Sequence, residues 1–236
     1  MVLNTVAKAI ESNLFRFERK FFVEELTFHE LEAMVRLHPA LFREVYPWRW
    51  VNNLYLDSPA LSSYFENVAG IADRMKVRIR WYGDLRQAVE RPVLELKIKR
   101  GLMGTKLAFA LDPVAMEPGF NSGLLRRCIT QSEVPADIRE LVKGLEPALL
   151  NRYRRRYFES ADRKVRLTLD WDREFSKINP SGLTFSQNWR LDNATIVELK
   201  YDPDSDQRAA EISNEFPFRL TKSSKYVQGL ETTRFA

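Results

Sequence analysis

The stretch from Asp73 to Tyr82, Asp-Arg-Met-Lys-Val-Arg-Ile-Arg-Trp-Tyr, constrains this chain more than any other. Charged and apolar residues alternate with a period of two, the signature of a β-strand. Lys76, Arg78 and Arg80 therefore share one face, and Met75, Val77, Ile79 and Trp81 the other. The segment Leu94 to Lys99 repeats the pattern, with Glu95, Lys97 and Lys99 opposite Leu94, Leu96 and Ile98. Two such strands side by side build a wall of ammonium and guanidinium groups. Their mutual repulsion is relieved by an anionic guest, and a phosphate chain suits it best.

The chain has 236 residues, 44% of them hydrophobic and 12% aromatic, enough for a sizeable core. No tandem repeat, low-complexity tract or long Pro/Gly/Ser linker divides it, so one domain over 1–236 is expected. Lys plus Arg number 37 against 32 Asp plus Glu, a net +5 that matters only where it is concentrated. Cys128 is the one cysteine, and His29 and His38 are the only histidines. That excludes a disulfide framework and a structural zinc site, and leaves oxygen ligands for any metal. Met1 to Ile10 lacks the pattern of a secretion signal, and no apolar run reaches the roughly 18 residues of a membrane span. A soluble, cytoplasmic chain is expected. Neither the Gly-x-x-x-x-Gly-Lys-[Ser/Thr] loop nor a kinase glycine loop is present, so side chains would have to hold a nucleotide's phosphates.

Read in order, Phe15 to Val23 alternates as a strand. Thr27-Phe-His-Glu30 has capping-box spacing, and apolar residues then predict a helix to Leu37, ended by Pro39. Trp50 to Asp57 reads as a strand, and Ser58-Pro59 opens a helix to about Asn67. The aromatic run Tyr46-Pro-Trp48-Arg-Trp50 is expected to pack a helix-to-strand junction rather than to stack an adenine. After the basic strand, Val93 to Arg100 and Thr105 to Leu111 suggest a hairpin. Residues 112–146 carry apolar groups at helical spacing and read as a helical insert. Strands resume over Ala148 to Ser160, Lys164 to Trp171, Gly182 to Asn188 and Thr195 to Tyr201. A helix near Asp206 to Glu215 and a final segment from Thr221 to Thr232 follow.

On the polar faces of these strands stand thirteen bases: Arg16, Lys20, Lys76, Arg78, Arg80, Lys97, Lys99, Arg152, Arg154, Arg156, Lys164, Arg166 and Lys200. Only four acids join them: Glu18, Glu95, Asp170 and Glu198. An open antiparallel sheet with one solvated face would show balanced Glu/Lys pairs and neutral polar residues instead. The alternative is closure into a barrel, charged faces lining a wet lumen and apolar faces turned outward beneath the helices. Asp170 reads as a structural partner of an arginine, His29 and His38 as surface or packing residues, and Cys128 as a small buried hydrophobe.

Seven motifs in order carry a resemblance: Arg16-x-Glu18-x-Lys20, Lys76-Val-Arg78-Ile-Arg80, Glu95-Leu-Lys97, Tyr153-Arg-Arg-Arg-Tyr157, Arg166-x-Thr-x-Asp170, Glu198-Leu-Lys200 and Thr221-Lys222-Ser-Ser-Lys225-Tyr226. Over about Phe15 to Leu230 the chain resembles the VTC (vacuolar transporter chaperone) polyphosphate polymerase domain of the triphosphate tunnel metalloenzyme, or CYTH-like, superfamily. The resemblance implies an α+β fold, a closed eight-stranded antiparallel barrel with helices packed outside. It implies synthesis of inorganic polyphosphate from ATP with a divalent ion, Mn2+ or Mg2+. Arg78, Arg80, Lys97, Arg154 and Arg166 would then be the catalytic bases, with Arg16, Lys20, Lys76, Lys99, Lys200, Lys222 and Lys225 binding phosphate. Glu198 would be the chief metal ligand, aided by Glu18 or Glu95.

The wider superfamily opens with Glu-x-Glu-x-Lys, whereas Arg16 stands at the first Glu here. A metal carboxylate replaced by a base favours holding a phosphate chain over a two-metal hydrolytic site. The membrane segments and N-terminal phosphate-sensing domain of eukaryotic members are not in this sequence, so a stand-alone bacterial form is expected. A membrane-protein partner, and with it a place at the inner membrane, stays open. Three readings stand: an ATP-dependent polymerase, a hydrolase of triphosphate or nucleoside triphosphates, and a non-catalytic polyphosphate-binding module. Nucleic acid is not an expected partner, because the strand bases lack the interleaved aromatics that stack unpaired bases.

Overall fold

The computed structural model describes residues 15–85, 88–117, 119–179, 182–190 and 194–234; the reading of Met1 to Ile10 lies outside them. Eight strands form a closed antiparallel ring. In chain order these are β1 (Arg16–Val23), β2 (Arg43–Asp57), β3 (Arg74–Tyr82), β5 (Val93–Arg100), β6 (Met103–Ala110), β8 (Glu146–Glu159), β9 (Val165–Asn179) and β11 (Thr195–Tyr201). Around the ring the order is β2-β3-β5-β6-β1-β11-β9-β8, and β8 pairs with both β9 and β2, which removes the sheet edges. β10 (Gly182–Arg190) is appended to β9, and β4 (Ala88–Val89) pairs with β7 (Val114–Ala115) as a separate two-residue ladder. The α+β barrel with external helices is the expected architecture.

The apolar strand faces point outward and are covered by helices. Leu54, Val77, Ile79, Leu94 and Leu96 pack in one cluster with Leu125, Cys128 and Ile129 of α3 (Ser122–Gln131) and with Ile138 and Val142 of α4 (Ala136–Val142). These two helices occupy the expected insert, and Cys128 is buried as expected. On the other side, Phe21, Leu167, Leu169, Val197 and Leu199 meet Leu31 and Val35 of α1 (Phe28–Leu37) and Ala209 and Ile212 of α5 (Asp206–Asn214). Each fully buried aliphatic side chain contributes about 1.5–3 kcal/mol, so these outer layers, rather than the wet interior, hold the ring together. The capping box forms as read, with Thr27 accepting from the Glu30 amide and Glu30 accepting from the Thr27 amide. His38 is buried and its ring contacts the Ile212 carbonyl.

Four boundaries differ from the sequence reading. β2 begins at Arg43 rather than Trp50, because the aromatic run is itself a strand, pairing with β8 through irregular register around Tyr46 and Arg49. α2 (Ser62–Val68) starts later than Ser58, since Asp57 accepts from the Ser63 and Tyr64 amides and sets the first turn there. β9 continues to Asn179 through a bulge at Asp172, whose φ of 48° interrupts the ladder. The final segment is α6 (Lys225–Arg234), and its packing shapes the lumen.

α6 closes one end of the ring. Tyr226 stacks on Tyr55 at 4.9 Å and donates to Asp57, and it shares a buried cluster with Leu149, Phe175 and Leu230. A β-carbon on Gly229 would stand 2.3 Å from Phe175, so the helix backbone lies directly on the strand side chains.

Candidate functional site

Alternation along the ring strands sends one charged residue in two into the lumen. Register then sets neighbours side by side: Arg78 opposite Glu95, Lys76 opposite Lys97, Lys20 opposite Glu198, and Glu18 opposite Lys200. Lys20, Lys76, Arg78, Arg80, Lys97, Arg155, Lys200 and Lys225 line one cavity, about 630 Å³ of free space that reaches solvent, together with Tyr55, Tyr153, Ser223 and Ser224. Glu198 is the single carboxylate among the lining residues.

The remaining lumen carboxylates separate and brace the bases. Glu95 lies 2.7 Å from Arg78, 2.8 Å from Lys106 and 3.6 Å from Arg80. Arg80 donates to Asn53 Oδ1 at 2.9 Å and to the Tyr153 hydroxyl at 3.2 Å, which fixes its fork in one orientation. Glu18 meets Lys97 at 2.9 Å and Lys20 at 3.3 Å. Glu198 meets Lys20 and Arg155 at 3.4 Å and Lys200 at 3.6 Å. Asp170, as read, pairs with an arginine: Arg155 at 2.5 and 2.7 Å, and also Lys225 at 2.6 Å.

Burial and crowding shift these groups. Burial would raise the Glu18 carboxyl, but Lys97, Lys20 and Lys200 hold it down at about 2. Glu198, also buried, is held well below the carboxylate range by Lys200, Lys20, Lys97 and Arg155. Burial, reinforced by Lys20 and Lys200 and opposed by Glu18 and Glu198, lowers the Lys97 ammonium to about 8. Lys76 is depressed well below its ordinary value by burial and by Lys97, Lys20, Arg74 and Arg78; its hydrogen-bond partner is the neutral Ser224 hydroxyl, at 3.0 Å. Burial would raise the Tyr153 phenol, yet Arg155, Arg80 and Lys225 bring it down to about 8. Such an arrangement binds a dense anion, because an incoming phosphate oxygen lowers the energy of every one of these cations.

Residues 15–234, nearly the whole chain, match the family model of the VTC domain. The chain belongs to the VTC domain family. No curated protein sequence matches it. Among solved structures, a proposed adenylyl cyclase from Hippeastrum with a dominant triphosphatase activity matches with a TM-score of 0.54 at 12% identity, covering 94% of this chain and 97% of that one. A protein from Pyrococcus horikoshii OT3 matches with a TM-score of 0.50 at 13% identity, covering 92% and 99%. At these identities the likeness concerns fold alone.

In this VTC domain the structure brings Lys20, Lys76, Arg78, Arg80, Lys97, Glu198, Lys200 and Lys225 together as the sequence reading grouped them, with Glu18 and Glu95 bonded to them. Arg16 and Arg166 stay at the rim, Arg16 paired with Asp202 at 3.0 Å and Arg166 with Glu159 at 3.5 Å. Lys99 is half-buried beyond Lys97, lowered by burial and by Arg74, Lys20 and Lys222, and Lys222 is exposed.

The β8 face is a correction. Arg152, Arg154 and Arg156 do not join the lumen: Arg152 lies 4.2 Å over the Trp50 ring, Arg154 lies 4.9 Å over Trp48 and 3.3 Å from Asp172, and Arg156 pairs with Glu32 and Glu44. Arg155 and Tyr153 point inward instead. A run with bases at 152, 154, 155 and 156 is cationic on both faces, and the tyrosines at 153 and 157 pass for outer-face apolar groups. The available signal was Asp170, whose buried carboxylate needed a guanidinium on the adjacent strand.

Proposed function

We propose that this VTC domain is an ATP-dependent polyphosphate polymerase, transferring the γ-phosphate of ATP to a growing phosphate chain. The observation that carries the reading is the cavity lining, eight cationic side chains and one carboxylate at the focus of a closed barrel. The chain's terminal phosphate oxygen attacks the γ-phosphorus, the bond from that phosphorus to the β-phosphate bridging oxygen breaks, and ADP leaves with a chain longer by one. No protein nucleophile is needed, so the residues position groups and neutralise charge. Arg78, Arg80 and Arg155 hold fixed guanidinium charges on the lumen, their forks braced by Glu95, by Asn53 with Tyr153, and by Asp170, and phosphate meets the N–H groups those partners leave over. Lys20, Lys76, Lys97, Lys200 and Lys225 act as point charges along the chain.

A divalent ion of the Mg2+ or Mn2+ class fits Glu198, with Glu18 beside it. Both are hard oxygen donors converging on Lys20, and such ions bind through one or two carboxylates plus substrate phosphates. Among the described residues no three acidic, His or Cys side chains form an all-protein metal cage, which agrees with a site completed by phosphate. Glu95 is the more tightly held, its two oxygens accepting from Arg78 and Lys106 at 2.8 Å, whereas the cations around Glu198 stand at 3.4–3.6 Å. The bound ion would offset charge accumulating on the transferred phosphate.

A second reading, hydrolysis of short triphosphates, is favoured by the packing of Tyr226 and Leu230 of α6 on Tyr55, Leu149 and Phe175, which narrows one end of the lumen. The test is turnover of ATP with a short phosphate primer, in which Arg80→Ala and Glu198→Gln should each reduce the rate at least a hundredfold. Near-normal turnover in either variant would contradict the assignment of that residue.

A further inference from the structure

The lumen face does not end with the last cations. On β3, Tyr82 stands two residues beyond Arg80, and on β8, Tyr157 stands two beyond Arg155, so both rings lie on the inner face about 7 Å outward along their strands. Between them lies Arg49 of β2, whose register partner is Arg155. Its guanidinium sits 3.8 Å over the Tyr82 ring and 5.0 Å from that of Tyr157, to whose hydroxyl Nε donates at 3.3 Å. Tyr46 meets Tyr157 edge-on at 5.9 Å.

This rim stands at the end opposite α6. The closed end is apolar and buried at Phe175 and Leu149, whereas Tyr82 is 43% and Tyr46 55% exposed. Arg49 covers one face of Tyr82, and the exposed remainder of that ring is free of protein.

An inorganic phosphate chain gains from the Arg49 charge but has no use for the tyrosine rings around it, which offer it no donor beyond a hydroxyl. A nucleoside triphosphate has a flat aromatic base at one end. With its terminal phosphate among the buried cations and its nucleoside trailing toward solvent, the base reaches about where Tyr82, Arg49, Tyr46 and Tyr157 stand.

We propose that this rim is a nucleobase subsite, in which the base of the incoming nucleoside triphosphate stacks on Tyr82, so that the triphosphate enters terminal phosphate first. The proposal rests on the nucleoside-triphosphate reading above and adds what distinguishes the nucleotide from a bare phosphate chain. Stacking is tolerant of base identity, so purine nucleotides should bind with similar affinity.

The experiment compares ATP with inorganic tripolyphosphate, both as magnesium complexes, by titration calorimetry on the full chain. Tyr82→Ala should weaken ATP roughly tenfold, in line with the loss of one base-aromatic stack, and leave tripolyphosphate within twofold of wild type. Tyr82→Phe, which keeps the ring, should bind ATP like wild type. Equal loss for both ligands, or no loss for ATP while tripolyphosphate still binds, would overturn the subsite. Failure of wild type to bind either ligand would overturn the triphosphate reading itself and the subsite with it.

Discussion

Lys225, the first residue of α6, places its ammonium 2.6 Å from the Asp170 carboxylate on the inner face of β9. Arg155 binds the same carboxylate through two further contacts, so one buried acid ties the helix that closes the barrel to the wall that lines it. Asp170→Ala would leave two buried cations without it, and a loss of about 3–5 kcal/mol is expected in urea unfolding. Burial alone would raise this carboxyl, but Arg155 and Lys225 hold it at about 2. Its contribution is therefore complete above the unfolded value near 4 and fades as the pH falls toward 2. In Asp170→Asn the acid limb of the stability curve should be shallower than in wild type; an identical limb would contradict the pairing.

Adjacent arginines on β8 should behave oppositely. Arg154→Ala removes a guanidinium held outside the barrel by Trp48, Trp50 and Asp172, and ATP turnover should stay within twofold of wild type. Arg155→Lys keeps the charge but loses the fork that spans Asp170, and turnover should fall at least tenfold. The reverse ranking would mean that the strand is turned the other way.

Phosphate affinity should fall as the pH rises through 8. Lys97 is lowered to about 8 by burial and by Lys20 and Lys200, against Glu18 and Glu198, and the Tyr153 phenol is lowered to a similar value, so the positive charge they leave in the lumen falls from pH 7 to pH 9. A bound anion favours their protonated forms, and binding above pH 8 must therefore take up a proton. Calorimetric titration with tripolyphosphate should lose up to about tenfold in affinity between pH 7 and pH 9, and Lys97→Met should flatten that dependence. An unchanged slope in the variant would assign the titration to another group.

Gly229 has no room for a side chain. Its added β-carbon would stand 2.3 Å from Phe175 and 2.4 Å from Leu149, both of which face the closed end of the lumen. Gly229→Ala should cost about 1–3 kcal/mol, a melting shift of several degrees in a domain of this size. Faster proteolytic removal of α6 should accompany it. A wild-type melting temperature would show that the helix docks less tightly than the contacts imply.

Much of the site was legible because strand alternation converts sequence parity directly into facing. Lys76, Arg78 and Arg80 could land only on one side, and the apolar residues between them had to be covered by helices. Parity failed on β8, where bases on consecutive residues make both faces cationic and only a partner on the next strand, Asp170, breaks the tie. It failed again at Tyr46 and Asp172, because irregular pairing or a bulge shifts the count and sequence does not announce it. The closed end was hidden for another reason: Tyr226, Gly229 and Leu230 lie in a final segment whose role shows only when Tyr55, Leu149 and Phe175 receive it.

The most direct test of the central claim is the product formed from ATP. Purified protein is incubated with ATP, manganese or magnesium and a diphosphate or triphosphate primer, while ADP is followed and phosphate chains are resolved on a gel. Long chains in amounts matching ADP, abolished by Glu198→Ala, are the predicted result. Orthophosphate without chains would contradict it and make the protein a hydrolase. Neither product, with tripolyphosphate still tightly bound, would leave the cationic lumen as a phosphate-binding module.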